Sequence, residues 1–153
     1  TWPHDFYLDK YYEIIDSHCF NNFDNKFDII YKDINSSILI TGLSVKPDES
    51  FIDKVINENK VNYKINIMHY PDEFDNIKKY NYDLVLAGHS HNGQIALPVY
   101  GAVITPENAK EYYKPYYKID NTLFYISSGV GTTKFDYRFL NKPSFNLYRI
   151  LKK

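Results

Sequence analysis

The sequence of 153 residues predicts a single α/β domain built on a mixed β-sheet. Residues 83–87 form a short apolar run with the composition of a buried strand, and residues 61–69 alternate apolar and polar side chains as a strand does. Pro71-Asp72-Glu73 between them is a typical helix start. Strand, helix and strand in this order predict a βαβ unit over residues 61–88, with parallel strands and a right-handed crossover. Beyond Gln94 the pattern predicts a β-rich C-terminal part.

The residues before this unit predict a helix, a β-hairpin and a second helix. Residues 5–17 carry an apolar stripe at helical spacing. The segments 27–31 and 37–43 are short and apolar and are predicted to pair as an antiparallel hairpin. Pro47-Asp48-Glu49 opens the second helix. Its predicted apolar face comprises Phe51, Ile52, Val55 and Ile56.

After the βαβ unit, strands are predicted at 95–104, 123–128 and 144–151. The tyrosine-rich segment 105–121 is interpreted as a surface excursion, with a lip over a neighbouring site as the alternative. The glycine-rich segment 127–132 lacks the spacing of a phosphate-binding loop. It therefore predicts a tight exit from a strand, close to the histidines described next.

Three histidines follow the two strands of the βαβ unit. His69 ends the first strand, His89 follows the second, and His91 comes after one further residue. Adjacent parallel strands lie about 4.8 Å apart, and ligand sites of α/β sheets lie beyond the carboxyl ends of strands. The three imidazoles are therefore predicted to converge as metal ligands. The alternative is a polar turn with incidental histidines, because short histidine motifs often arise by chance.

The composition of the chain argues against a nucleic-acid partner, a membrane span and an internal disulfide. The formal net charge of −1 provides no basic excess, so no nucleic-acid partner is expected. No apolar run approaches the ~18 residues that a membrane span needs, so we expect a soluble chain. Cys19 is the single cysteine and excludes an internal disulfide.

Four motifs resemble a known family. They are His69-Tyr70-Pro71-Asp72, the segment DLVLAGHSHNGQIALP at 83–98, SSGVGT at 127–132 and RFLNKP at 138–143. Together they resemble the C-terminal half of calcineurin-like metallophosphoesterases, in particular the bacterial branch that carries GHTHGGQ. The resemblance implies the C-terminal half of a four-layer α/β/β/α sandwich. It also implies hydrolysis of a small phosphoester substrate, in some members at a membrane surface.

The resemblance assigns a role to each histidine. It implies that His69 and His89 bind one metal of a dinuclear pair and that His91 binds the other. In such a centre two divalent ions share a hydroxide that attacks phosphorus. Mn is the expected metal, with Fe or Zn as alternatives, because imidazole ligands disfavour Mg.

Residues near the substrate phosphate are expected to be Asn92, Ser128 and Arg138. The chain departs from the branch at Ser90 and Asn92 within the histidine motif. It also carries Ser128 where the branch often has arginine. This third departure leaves open which group contacts the phosphate.

The carboxylate motifs of the family are missing from the sequence. Asp16-Ser17-His18 spells the Asp-x-His motif but falls at the end of a predicted helix, so we interpret it as a decoy. Leu43 stands where the bridging aspartate would be, and Pro3 replaces the asparagine before His4-Asp5. We therefore expect residues 1–153 to be an incomplete domain, cut from a longer cytoplasmic or membrane-peripheral protein.

Such a fragment has consequences for activity and assembly. It would bind at most one metal, weakly, and would be inactive alone. The exposed sheet would pair with the missing N-terminal half, or the chain would dimerise or swap elements.

Three other functions are weighed against this one. A degenerate, non-catalytic member of the same fold could bind a metal or a partner through the same face. A histidine-triad hydrolase needs a histidine where Gly93 stands, and a cupin needs a glutamate near Ile95 and Ala96. The sequence fits both of these last classes poorly.

Overall fold

The computed structural model of the chain describes residues 23–33, 35–45, 47–133 and 136–151. The helix predicted at 5–17 lies outside these ranges, as do the two motifs that include His4 and His18. Within the described ranges no helix is long and apolar enough to cross a membrane.

A six-stranded mixed sheet forms the centre of the fold, in the order β1-β2-β3-β4-β8-β7. Strands β2, β3, β4 and β8 run parallel, and the edge strands β1 and β7 are antiparallel to their neighbours. This arrangement confirms the α/β class and the mixed sheet. The six strands are β1 (Lys26–Asp33), β2 (Ser36–Gly42), β3 (Tyr63–Ile67), β4 (Leu84–Ala87), β7 (Tyr116–Ile119) and β8 (Thr122–Ile126).

The predicted hairpin and the helix after it are confirmed. Strands β1 and β2 pair antiparallel, and helix α1 spans Glu49–Glu58. The Asp48 side chain caps α1 by accepting hydrogen bonds from the backbone N–H of Ser50 at 3.0 Å and of Phe51 at 3.3 Å. Ile52 and Val55 of α1 are buried against the sheet, as the apolar face predicts.

The predicted βαβ unit is confirmed as well. Strand β3 is followed by a 3₁₀ turn at Pro71–Glu73, the short helix α2 (Phe74–Ile77) and a second 3₁₀ turn at Lys78–Tyr80. Strand β4 then pairs parallel with β3, with Ile67 opposite Leu86 at the carboxyl ends. This register places the residues after both strands at the same edge of the sheet.

The main core lies on the sheet face that α1 and α2 cover. The ring of Phe74 from α2 stacks on Phe124 of β8 with centroids 4.9 Å apart. Leu43, which follows β2, is also buried in this core. A further ten residues form the cluster, namely Ile52, Met68, Phe74, Ile77, Tyr80, Tyr82, Val85, Ala87, Phe124 and Ile126.

A small polar network lies within this core. The hydroxyl of Thr41 donates to the hydroxyl of Tyr82 at 3.0 Å, and the amide of Asn66 donates to Thr41 at the same distance. Asn66 is completely buried, whereas Ile67 next to it is 36% exposed on the opposite face of the sheet. The polar Asn66 is thus more deeply buried than the apolar Ile67, because the hydrogen-bond partners of Asn66 lie on the helix-covered face of the sheet.

Three predictions for the C-terminal part need correction. The strand predicted at 95–104 is reduced to the short pair β5 (Ala96–Leu97) and β6 (Gly101–Ala102). The segment 105–121, interpreted as a surface excursion, contains β7, which pairs antiparallel with β8. Two partly buried side chains of β7, Tyr117 and Ile119, pack against the core and explain this pairing.

The strand predicted at 144–151 is wrong. This segment has no regular secondary structure, and its side chains Phe145 and Leu147 are 86% and 92% exposed. Its contact with the sheet is made by Tyr148, whose ring lies 5.3 Å from that of Tyr125. A strand-like pattern needs a partner strand, and no described strand pairs with this segment.

Candidate functional site

Two of the predicted histidines meet at the carboxyl edge of the sheet. His69 follows β3 and His89 follows β4, and their ring centroids are 4.8 Å apart. The ring of Tyr70 packs against both, 5.2 Å from His69 and 4.5 Å from His89. The structure therefore brings together two imidazoles that the sequence separates by a whole βαβ crossover.

The loop after β4 has a strained backbone. His89 has φ of 62°, His91 of 47°, Asn92 of 50° and Gln94 of 54°, all in the left-handed region that side chains disfavour. Gly93 adopts φ of 75°, and a Cβ there would collide with Ala102 of β6. Such strain persists only where surrounding structure imposes it, and it concentrates at functional sites.

Side chains from distant segments impose this conformation. Gln94 donates to the carbonyl of Tyr137 at 2.8 Å and accepts from the backbone N–H of Thr133 at 2.9 Å. The buried amide of Asn141 donates to the backbone carbonyl of His91. These contacts tie the histidine loop to the C-terminal part of the chain.

The ring of His91 is in contact with Arg138. Nη2 of Arg138 lies 3.0 Å from Nδ1 of His91, and it also donates to the carbonyls of Ser128 at 2.7 Å and Gly129 at 3.2 Å. Nε of Arg138 donates to the carbonyl of Gly131 at 3.1 Å. The guanidinium therefore lies directly against Nδ1 of His91 and shares its hydrogens with the surrounding carbonyls. In this conformation, Nδ1 of His91 is not open to a metal.

The residues predicted near the substrate phosphate serve this scaffold. Ser128 is buried and its carbonyl binds Arg138. The amide of Asn92 donates to Oδ1 of Asn141 at 3.4 Å. The structure thus places Asn92, Ser128 and Arg138 around His91. Nη1 of Arg138 is buried and has no hydrogen-bond partner among the described residues.

The ring of His89 is held from the other side by segment 105–113. Its Nε2 lies 2.8 Å from the carbonyl oxygen of Glu107, and a carbonyl can only accept. Nε2 therefore donates this hydrogen bond, and in the neutral form of the ring the lone pair lies on Nδ1. The hydroxyl of Ser90 donates to the carbonyl of Tyr113 at 3.1 Å. The segment forms a lip over the site, the alternative that the sequence left open.

A cavity of about 690 Å³ opens beside these histidines. His89, His91, Glu107 and Lys110 are the ionisable residues of its lining, and Ile95, Ile104 and Pro106 are among its apolar residues. Its volume lies in the range of small-molecule sites. A ligand with an anionic group and an apolar group would match this lining.

Electrostatics favour neutral imidazoles at two of the three positions. Partial burial lowers the pKa of His69 below its ordinary value, and the neighbouring His89 and His91 lower it further. Burial also lowers the pKa of His91, with Arg138 as the next largest cause. Both rings are therefore uncharged at pH 7, which is the form that binds metals.

The donor set fits only part of a metal centre. Among residues 23–33, 35–45, 47–133 and 136–151, no group of three or more His, Cys, Asp and Glu side chains is arranged to hold a metal ion. The described residues bring imidazoles together but place no carboxylate among them. A dinuclear centre therefore does not fit these residues alone.

The residues that hold the site were only partly predictable. Gln94 and Asn141 belong to the motifs that carry the family resemblance, but the sequence gives no signal of their anchoring role. Glu107 acts through its backbone carbonyl, for which a sequence carries no side-chain signal. Asp72 belongs both to the first motif and to a predicted helix start, and neither pattern indicates the contact of its carboxylate with the backbone of residues 110–112.

Comparison with known proteins supports a relation to metallophosphoesterases. The chain is 38% identical over 88 residues to the uncharacterized metallophosphoesterase YkuE of Bacillus subtilis. The alignment covers 58% of this chain and 31% of that protein, so the chain spans about a third of its relative's length. No protein-family model matches the chain, and no solved structure matches it.

We expect His69 and His91 to titrate below pH 6.5, the ordinary histidine value, in an NMR pH titration of the ring signals. Between the folded pKa and 6.5 the unfolded chain binds more protons, so stability should fall as pH drops through this window. Replacement of Arg138 by Gln should raise the pKa of His91, because a neighbouring positive charge is removed.

His69 is the reference ring in this experiment, because Arg138 does not act on its pKa directly and the pKa of His69 should therefore shift less than that of His91. A midpoint at or above 6.5 for either ring, or an unchanged His91 in the Arg138→Gln variant, would contradict the electrostatic description.

Proposed function

We propose that this chain forms the imidazole-bearing part of a metal-dependent phosphoesterase. The observation that carries the proposal is the 4.8 Å approach of the His69 and His89 rings at the ends of adjacent parallel strands. The similarity to a protein named as a metallophosphoesterase supports it. On this proposal the fold is part of the four-layer sandwich that the motifs imply.

The chemistry divides between the metals and the chain. When bound, two divalent ions would supply a hydroxide nucleophile and neutralise charge that develops on the phosphoryl group. Imidazole ligands favour Mn, Fe or Zn, and we propose Mn. His69 is kept neutral by its surroundings, and His89 is oriented by the carbonyl of Glu107.

The cavity suggests how a substrate would be bound. Lys110 provides a cation for the phosphoryl oxygens, and Ile95 and Ile104 provide apolar surface for the alcohol portion of the ester. This distribution favours a small phosphoester with an apolar substituent over a purely polar one.

Carboxylates must come from elsewhere for this chemistry. Because the described residues place none among the imidazoles, we propose that activity requires carboxylate ligands in addition to these residues. The described residues alone would bind at most one metal, weakly, with water completing the shell.

A second candidate function is a degenerate member of the same fold that does not catalyse hydrolysis. The contact between Arg138 and His91 favours it, because a guanidinium occupies a ring nitrogen beside the proposed metal position. Such a protein would bind a partner or a metal through the same edge of the sheet.

Hydrolysis of a generic aryl phosphodiester distinguishes the two functions. In the native full-length protein we expect a chelator to abolish turnover and Mn to restore it. His89→Ala and His91→Ala should each lower kcat by about 100-fold or more, because loss of a ligand costs more than loss of an outer partner. Lys54→Ala, an exposed change on α1, is the matched control.

Unchanged turnover in both histidine variants would exclude the metal assignment. A wild-type protein that lacks turnover but binds Mn through these histidines would favour the degenerate member.

We also propose that the open face of the sheet associates with further protein. Phe145 and Leu147 are almost fully exposed, and Ile67 is 36% exposed on this face. Light scattering of the chain alone should therefore give a mass above the 18.1 kDa of a monomer. Leu147→Lys should lower that mass, and Lys54→Glu on the opposite side should not. A clean monomer at all concentrations would contradict this association.

A further inference from the structure

The lip over the site is held in place by contacts with other parts of the chain. Segment 105–113 contains no helix or strand, yet its carbonyls at Glu107 and Tyr113 contact His89 and Ser90. A segment without its own ladder of hydrogen bonds needs external contacts to hold two carbonyls in place. Three of those contacts are made by a single side chain, that of Asp72.

Both carboxylate oxygens of Asp72 accept hydrogen bonds from the backbone of this segment. Oδ2 accepts from the backbone N–H of Lys110 at 2.7 Å, and Oδ1 accepts from those of Glu111 at 3.1 Å and Tyr112 at 3.0 Å. The backbone N–H of Asp72 donates in return to the carbonyl of Asn108 at 3.2 Å. Hydrogen bonds to an ionised carboxylate are about twice as strong as neutral ones.

Neighbouring contacts fix the same segment in the same orientation. The ring of Tyr112 packs edge-on against Phe74 at 5.5 Å, and its hydroxyl donates to Asp75 at 3.1 Å. Ala109 is completely buried. The carboxylate of Asp72 therefore works on a segment that is already packed against the helical turn after β3.

We propose that Asp72 is a positioning residue that latches the lip to the βαβ crossover and thereby orients His89. The chain of contacts runs from the Asp72 carboxylate to the amides of 110–112, and from the same segment's Glu107 carbonyl to Nε2 of His89. A carbonyl at Nε2 keeps the lone pair on Nδ1, as in outer partners of metal-binding histidines. The effect on activity rests on the proposed function, whereas the effect on the lip and on His89 does not.

This role differs from that of an acid at a helix N-terminus. Asp72 lies in the first turn of the helical segment, where a carboxylate would complement the dipole. Its three amide partners nevertheless belong to residues 110–112, far along the chain. A purely local role would leave the ring of His89 unaffected by a change at Asp72.

The test uses the isotope-labelled chain with Asp72→Asn, which keeps the shape and removes the charge. Amide hydrogen exchange at 110–112 should become about tenfold faster or more, because charge-assisted bonds are weakened. Long-range ¹H–¹⁵N spectra should show the ring signals of His89 shifting away from a single Nε2-protonated form. Glu73→Gln is the matched control, since Glu73 contacts Asn76 within the same helical segment.

Unchanged exchange at 110–112 together with unchanged His89 signals in Asp72→Asn would overturn the latch. If that variant does not fold, Asp72→Glu replaces it, because an extra methylene displaces the carboxylate without removing it. The latch then predicts faster exchange at 110–112 and shifted His89 signals, and wild-type behaviour in both would overturn it.

Turnover by the native full-length protein separates the latch from the proposed function. Asp72→Asn should lower kcat by about 10- to 100-fold, as loss of an outer partner does, and Glu73→Gln should not. If wild-type protein shows no turnover while Asp72→Asn still disturbs His89, the proposed function fails and the latch stands. If wild type turns over and Asp72→Asn leaves kcat and His89 unchanged, the latch fails alone.

Discussion

Parallel pairing of β3 with β4 is the constraint on which the candidate site depends. The register sets Ile67 opposite Leu86, so both strands end level at one edge of the sheet. Val85 is completely buried in the helix-covered core, and a slip of one residue would turn it to the opposite face of the sheet. His69 and His89 then have to emerge side by side, and their rings lie 4.8 Å apart. The helix-covered core thus determines the geometry of the imidazoles.

Strand pairing alone does not orient the histidine rings. Their orientation depends on contacts with three segments that are distant in the sequence. The lip of residues 105–113 contacts His89, and Asn141 binds the backbone of the histidine loop. The carbonyls of the turn at 128–131 hold Arg138, which contacts His91. The positive φ angles of His89 and of residues 91–94 are sustained by these contacts. A loop under such strain is poorly suited to a purely structural turn. It is well suited to holding side chains in one arrangement.

Local signals explain how much of this could be predicted from sequence. The cap at Asp48, the proline at the start of the crossover and the apolar run of β4 each act within a few residues, and the elements they predict are present. The approach of His69 and His89 follows from these elements and a general rule of parallel sheets. These parts of the fold and site required no knowledge of distant contacts.

What could not be predicted depends on contacts between distant parts of the chain. Tyrosines of β7 do not alternate clearly with polar residues, and only pairing with β8 shows that a strand is present. Residues 144–151 have a strand's composition but pair with no described strand. Every residue type has the same backbone carbonyl, so the contact of the Glu107 carbonyl with His89 cannot be read from the sequence.

Our central proposal is that His69 and His89, whose rings meet at the carboxyl edge of the sheet, bind a metal ion. Titration of the labelled chain with Mn²⁺, observed by NMR, tests it most directly, because a paramagnetic ion broadens signals near its binding position. We predict that substoichiometric Mn²⁺ broadens the ring signals of these histidines first and leaves the β1–β2 hairpin sharp. Broadening confined to other parts of the chain, or none at these rings, would contradict the claim.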